Sequence, residues 1–185
     1  MSGVRVWWLA SGGADALFLS PAIRAIDATY GLAAKFEVIS SRPDSAFDPR
    51  RNQHSSTQIL HWLSERYPKG AVRLLAITDY DLFIPILTFV FGEAELRGRT
   101  AVVSFARLLI QDGAFVPRDR AAQRLAKEVV HELGHTFGLL HCKSYRCVMA
   151  RSASLKDVDM KEPALCPDCK SRYSEFAIGK ETSDE

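Results

Sequence analysis

HELGHTFGLLHC spans residues 131–142, and its spacing decides how the chain folds around it. His131 and His135 are four residues apart. On a helix they stand ~40° apart around the axis and one turn along it. Two imidazoles on one face can then reach one ion, with Glu132 beside them to address a water on that ion. His141 lies ten residues after His131, which is ~15 Å of rise on a continuous helix. Zinc–nitrogen bonds are only ~2.0–2.1 Å, so the helix must stop and the chain must turn back. Gly138 can end it, because glycine tolerates the left-handed conformation found at helix C-termini. The spacing predicts two ligands from a helix, a glycine turn, and a third ligand from the returning chain.

Three neutral histidines leave a fourth tetrahedral position for water, the mark of a catalytic zinc site rather than a closed one. Such an ion lowers the pKa of its water toward ~7 and polarises a substrate carbonyl. Glu132 is the residue placed to take the water proton and pass it to a leaving amine. Amide hydrolysis is the chemistry expected. The competing reading is a helix with incidental histidines. A bare HExxH occurs by chance, and Gly138 with His141 is what disfavours that reading. Cobalt or nickel could fill such a site in vitro.

The four cysteines, Cys142, Cys147, Cys166 and Cys169, all lie in the last quarter of the chain, as C-x4-C followed by C-x2-C. Four thiolates at tetrahedral geometry make a closed, structural zinc site. Such a site would supply much of the folding energy of a short tail with few apolar residues. Iron on four thiolates, or two disulfides, are the alternatives.

The 185 residues, 47% apolar and 25% charged, suit one domain with a real core. A net charge of +2 gives no electrostatic case for nucleic acid. No apolar run reaches the ~18–20 residues of a membrane span. The opening MSGVRVWWLASGGADALFL has no basic leader before a sustained apolar stretch. A cytoplasmic monomer, without nucleic-acid or membrane partners, is the expectation.

Working outward, Val4 to Leu9 reads as a buried strand. Asp15 to about Tyr30 reads as a helix stopped by Gly31, with Pro21 disturbing its start. Lys35–Ile39 is a second strand, residues 40–54 a loop, and Ser56 to Tyr67 a helix. Ala71–Ile77 is a third strand, Leu87–Phe91 a fourth and Ala101–Phe105 a fifth. GEAELRGR between the last two is short enough for a hairpin, so these two strands should be antiparallel. A long helix follows from about Arg118 to Phe137, with Leu125, Val129, Leu133 and Phe137 as its apolar stripe. The order β-α-β-α-β-β-β-α predicts an α/β fold with a mixed five-stranded sheet. The whole reads as a single domain over 1–185: residues 1–138 carry the sheet and the long helix, and 139–185 form a small cysteine-stapled C-terminal subdomain. The closing GKETSDE is polar and expected to fray.

HELGHTFGLLH resembles the zinc signature of the metzincin clan of metallopeptidases. That resemblance implies a turn beneath the metal carrying a methionine, and Met149 matches it. HELGHTFGLLHCKSYRCVMA with the later CPDC resembles the archaemetzincin family, whose cysteine pattern Cys142, Cys147, Cys166 and Cys169 follow in order around Met149. TDYDLFIP and FVFGEAEL also look like the family's central region, so the likeness runs from about Ile77 to Lys170. It implies a compact metzincin fold, a catalytic zinc on His131, His135 and His141, and a second zinc on the four cysteines. It further implies no large inhibitory pro-segment, and a cleft lined by the antiparallel edge strand at roughly Thr88 to Gly92. A peptide could add to that strand in extended form.

The function expected is a zinc metallopeptidase acting on peptides or small proteins. The alternative is a metal-binding or regulatory protein with this fold and little activity, which Glu132 argues against. A zinc-knuckle interaction module is a third reading, disfavoured by the weak charge. His54 and His61 read as surface or packed histidines, and Asp79 and Asp81 as turn and cap residues. Tyr145 is a weak candidate for oxyanion contact.

Overall fold

The computed structural model of the protein describes residues 3–181. Val4–Trp8 (β1) is followed by Ala16–Tyr30 (α1). Asp15 caps this helix, its Oδ1 accepting the Phe18 N–H at 3.2 Å, and the helix continues through Pro21. Ala34–Val38 forms β2. The expected loop at 40–54 holds short ordered pieces instead: a 3-10 turn at Asp44–Ala46, Phe47–Asp48 (β3) and Gln53–Ser55 (β4). Ser55 then caps Ser56–Glu65 (α2), its hydroxyl accepting the Gln58 N–H at 3.4 Å. The chain continues with Arg73–Thr78 (β5), Leu82–Phe83 (β6), Gly92–Ala94 (β7) and Thr100–Ser104 (β8). Ile110–Gln111 (β9), Ala114–Phe115 (β10), Arg118–Thr136 (α3), Leu155–Met160 (α4) and Pro167–Glu181 (α5) complete it.

The main sheet is mixed and five-stranded, in the order β2-β1-β5-β8-β7. All pairs are parallel except β7 with β8, so β7 is an antiparallel edge strand. Side chains alternate across it, as strands buried on both faces require. Val6, Trp8, Leu75 and Ile77 face a core shared with α1 and α3. Trp7, Leu74 and Ala76 face a second core built on α2 through Ile59, Trp62 and Leu63. The result is an α/β sandwich. Leu125, Val129, Leu133 and Phe137 are all buried, as their helical spacing predicts.

The edge strand is displaced from its expected position. It occupies Gly92–Ala94, with Gly92 opposite Val103, rather than residues 87–91. The tight turn is what moves it. Gly98 donates its N–H to the Glu95 carbonyl at 2.9 Å and Arg97 takes a positive φ of 59°. With the reversal at 95–99, the pairing residues fall immediately before it, so GEA is strand and only ELRGR is turn. Residues 84–91 become a wall outside the sheet. Val90 makes one bridge to Leu82. Arg51 donates to the Leu87 and Thr88 carbonyls at 2.8 and 3.2 Å, and Gln53 to Thr88 at 2.9 Å.

The tail beyond α3 joins the same core, which includes Cys147, Val148, Met149, Val158 and Cys169. From α5, the Tyr173 hydroxyl donates to the Tyr30 carbonyl at 2.8 Å, and the Tyr30 hydroxyl donates to Val130 at 2.6 Å. Gly179 to Glu181 continue α5, and the rest of the expected frayed end lies outside the described residues. Among the described residues, no helix is long and apolar enough to cross a membrane.

Buried Arg124 of α3 holds α4. Its Nε and Nη2 donate to the two carboxylate oxygens of Asp159, both at 2.7 Å, and Arg120 adds a bond of 2.7 Å. The Arg124 guanidinium, helped by Arg120, holds the Asp159 carboxyl down at about 2, against 3.8 unperturbed. A carboxylate depressed in the folded state stabilises above its unfolded pKa, and that stabilisation is lost as pH falls from about 4 toward 2. Asp159→Asn should therefore cost about 2 kcal/mol at pH 7. In urea unfolding, the gap from wild type should narrow at pH 3 and be smallest near pH 2.

Candidate functional site

α3 carries His131, Glu132 and His135 and ends with two bonds that turn the chain. Leu139 N–H donates to the Gly134 carbonyl at 3.0 Å, and Gly138 N–H to His135 at 2.9 Å. With φ at +86° on Gly138, this is a Schellman ending. It returns His141 to the helix, with ring centroids 5.3 Å from His131 and 4.9 Å from His135. The ligand-type nitrogens of the three histidines all lie within 4.8 Å of one another.

The hydrogen bonds behind two of these rings determine their chemistry. His131 Nδ1 lies 2.8 Å from the Val148 carbonyl and His135 Nδ1 lies 2.7 Å from the Leu139 carbonyl. A carbonyl only accepts, so each Nδ1 must carry the hydrogen. Burial lowers the pKa of all three histidines, and the Lys161 charge lowers it further. A neutral ring protonated at Nδ1 leaves a bare lone pair on Nε2. The Nε2 atoms of His131 and His135 then face each other at 3.1 Å with no hydrogen between them. Two zinc–nitrogen bonds of about 2.0–2.1 Å at the tetrahedral angle hold their nitrogens roughly 3.3 Å apart. The donor set fits a divalent ion.

Glu132 is buried beside this group, and desolvation, with Glu128 and Glu93 adding, pushes its carboxyl well above the usual range. A cleft of about 460 Å³ runs over it, walled by residues 87–94 on one side and 151–153 on the other. That volume falls in the ordinary range for a ligand site. The free edge of β7 lies along this cleft.

The cysteines form a second cluster. All four are free, with sulfurs within 4.8 Å of one another. Cys142 and Cys166 Sγ are 3.7 Å apart. Zinc–sulfur bonds of about 2.3 Å set tetrahedral sulfurs roughly 3.8 Å apart, so this spacing also suits one ion. Burial pushes the Cys147 and Cys169 thiols up, while the Cys169 backbone N–H draws Cys166 down. Four sulfurs so placed could share one cation.

The sequence profile described as peptidase family M54 matches residues 66–175. The chain is 45% identical over 128 residues to the archaemetzincin of Methanopyrus kandleri, covering 69% of each chain. The chain belongs to the archaemetzincins, peptidase family M54, a family of zinc metallopeptidases. The archaemetzincin of Natronomonas pharaonis is 39% identical over 160 residues, 81% of this chain and 91% of that one. The crystal structure of the Methanopyrus kandleri archaemetzincin superimposes with a TM-score of 0.81 at 34% identity, covering 95% of this chain and 96% of that one. A zinc-dependent peptidase from Methanocorpusculum labreanum gives 0.80 at 25% identity, covering 92% and 100%.

Several members of this archaemetzincin site carried no readable signal. Gly134 is one: a Cβ there would meet Met149 Sδ at 2.4 Å and the Tyr30 hydroxyl at 3.0 Å. Met149, fully buried, therefore packs against bare helix backbone between the two histidines. Gly92 is another, since a Cβ would come within 2.7 Å of both Glu132 Cγ and the Val102 carbonyl. Lys161 Nζ lies 3.1 Å from Glu128 Oε1 and 3.4 Å from His131 Nδ1, with Lys161 and Glu128 both buried. The His131 hydrogen goes to Val148, so that ammonium hydrogen-bonds only the carboxylate. Each of these contacts joins residues far apart in the sequence, so no local pattern announces it.

The other candidates lie elsewhere. His54 stacks on Tyr80 at 4.0 Å. His61 sits 3.5 Å from Glu65, Asp79 accepts the Ser11 N–H, and Asp81 pairs with Arg107. Tyr145 is exposed and is not among the residues lining the cleft.

Gly134→Ala should destabilise the protein by about 1–3 kcal/mol, the usual cost of overpacking a core. Gly12→Ala, with nothing within 4 Å of its Cβ, is the matched control. Thermal unfolding of the two variants checks this, and equal melting temperatures would contradict the packing of Met149 on Gly134.

Proposed function

We propose that this protein hydrolyses peptide bonds at a catalytic zinc held by His131, His135 and His141, with Glu132 as general base and a structural zinc on Cys142, Cys147, Cys166 and Cys169. One observation carries the reading: two Nε2 lone pairs face each other at 3.1 Å, and a third histidine joins them. Zinc held there supplies an acidified water and a Lewis acid for the substrate carbonyl. Glu132 serves the reaction because burial has already raised its proton affinity. It takes the proton from the attacking water on its carboxylate and gives it to the leaving amine. The Val148 and Leu139 carbonyls keep His131 and His135 in the tautomer a ligand needs. The exposed edge of β7 offers backbone N–H and C=O groups to an extended peptide, aligned over Glu132. This shifts the substrate-binding strand from residues 88–92 to Gly92–Ala94.

Residues 1–138 and 139–185 are best regarded as two parts of one catalytic domain. The second carries the turn at Met149 and the cysteine cluster, and supports the first through the hydrogen bonds to Val148 and Leu139.

Glu132→Ala should retain zinc and lose about a hundredfold or more in turnover, measured on a peptide mixture by mass spectrometry. Equal cleavage by both proteins would remove Glu132 from the reaction. No cleavage by zinc-loaded wild type would favour a metal-binding protein with this fold and little activity.

Elemental analysis of wild type should give close to two zinc ions per chain. Cys142 follows His141 directly, and its N–H donates to the Met149 carbonyl at 2.9 Å. Cys142→Ser should therefore lose the structural ion and bind the catalytic one about 10–100-fold more weakly. Unchanged affinity at the histidines would show that the two sites are only neighbours in sequence.

A further inference from the structure

The main sheet has two edges: β7 beside the cleft, and β2 on the opposite side. Among the described residues, no strand pairs with the outer side of β2. Its backbone groups have a fixed direction. The Ala33 carbonyl accepts the Val4 N–H at 2.9 Å, and the Ile39 N–H donates to the Trp8 carbonyl at 3.1 Å. The odd-numbered residues therefore turn their backbone groups toward β1. Alternation turns the N–H and C=O groups of Ala34, Phe36 and Val38 outward. Unpaired groups along a sheet edge are a template for another strand.

The side chains of β2 divide by the same alternation. Lys35 and Glu37 stand on one face. Lys35 Nζ lies 3.6 Å from Glu37 Oε1, and Arg5 Nη1 donates to the same oxygen at 2.7 Å. The Lys35 and Glu37 side chains nevertheless stay 70% and 34% exposed. Ala34, Phe36 and Val38 stand on the face toward α1, yet α1 does not close over them. A largely apolar groove of about 340 Å³ runs between the helix and the strand, with Leu19, Ile23 and Phe36 in its walls. Val38 is 63% exposed.

We propose that β2 is a self-association edge, to which a second copy of this chain adds its own β2 antiparallel about a two-fold axis at Phe36. Full overlap of the two strands, with outward-facing groups bonded to outward-facing groups, sets this register. Phe36 falls opposite Phe36 of the second copy, and Ala34 opposite its Val38, as hydrogen-bonded pairs that exchange about six bonds in all. Lys35 then falls opposite Glu37 of the second copy, and Glu37 opposite its Lys35. These are the non-hydrogen-bonded positions, where facing side chains come closest. One short strand is thus complementary to itself in hydrogen bonds and in charge, as a two-fold interface requires. Phe36 and Val38 of both copies meet over the two grooves and remove apolar surface from water. The β7 edges lie on the far sides of such a pair, so both clefts stay open. The proposal stands independently of the peptidase reading and replaces the monomer expected from the sequence.

Sedimentation velocity of the full chain, purified with its metal, should show a monomer–dimer equilibrium in the roughly micromolar range. Lys35→Glu sets glutamates opposite one another, and Glu37→Lys sets lysines opposite one another. Each variant alone should associate at least about tenfold more weakly than wild type. An equimolar mixture of the two should restore the dimer, because every glutamate then faces a lysine, and that rescue also shows that both variants fold. In wild type, hydrogen exchange at the Ala34, Phe36 and Val38 amides should slow as protein concentration rises. Exchange at Lys35 and Glu37, already bonded to β1, should not change. A wild-type chain that stays monomeric to roughly 1 mM overturns the proposal. So do dimers that both single variants form as readily as wild type, or exchange at the three amides that ignores concentration. A mixture that associates no better than either variant overturns the register.

Discussion

His131 donates its Nδ1 hydrogen to the Val148 carbonyl at 2.8 Å, and the rest of the site depends on that bond. It fixes the ring's orientation and forces the lone pair onto Nε2. It also ties the long helix to a segment seventeen residues further on. The neighbours of Val148 are Cys147 and Met149, so one carbonyl links the histidine cluster, the cysteine cluster and the methionine packed against Gly134. The corresponding bond from His135 goes to Leu139, inside the turn that Gly138 makes possible. Both rings are thus aimed by backbone that exists only after the helix has ended.

The C-terminal part is therefore more than an appendage. Val148 N–H bonds the Ala164 carbonyl at 3.1 Å, and Cys166 N–H reaches Cys147 Sγ at 3.4 Å. Those contacts hold the turn through Met149 from below. On the side of α3 nearer its N-terminus, Arg124 and Asp159 hold α4, and Lys161 comes forward from the end of α4 to pair with Glu128. The Lys161 ammonium, 3.4 Å from His131 Nδ1, favours neutral imidazoles. The same low-dielectric surroundings raise the proton affinity of Glu132. One arrangement of burial and charge acts in opposite directions on an acid and on bases, because desolvation always penalises the charged form.

Local signals made much of the fold legible. Strand and helix periods in β1, α1, β5, β8 and α3 are long enough to read, and the parallel order follows from their alternation. The edge strand was less legible. Leu87 to Phe91 has the composition of a strand, yet Arg51 and Gln53 hold that stretch outside the sheet, and three weakly apolar residues take the edge position. Composition cannot reveal this, because the deciding contacts come from a segment some thirty-five residues earlier. Short pairs such as β3 with β4 are likewise set by tertiary contacts.

By itself, the sequence determined the identity and spacing of the ligand-type residues, the need for a break at Gly138, and the grouping of four cysteines. These follow from the rise of a helix and the length of a metal bond, which do not depend on context. Only the tertiary structure decided which ring nitrogen faces inward, which glycines admit Met149 and Glu132, and where the cleft runs. Those features depend on which backbone carbonyls and side chains arrive from distant parts of the chain, and a linear pattern does not encode such meetings.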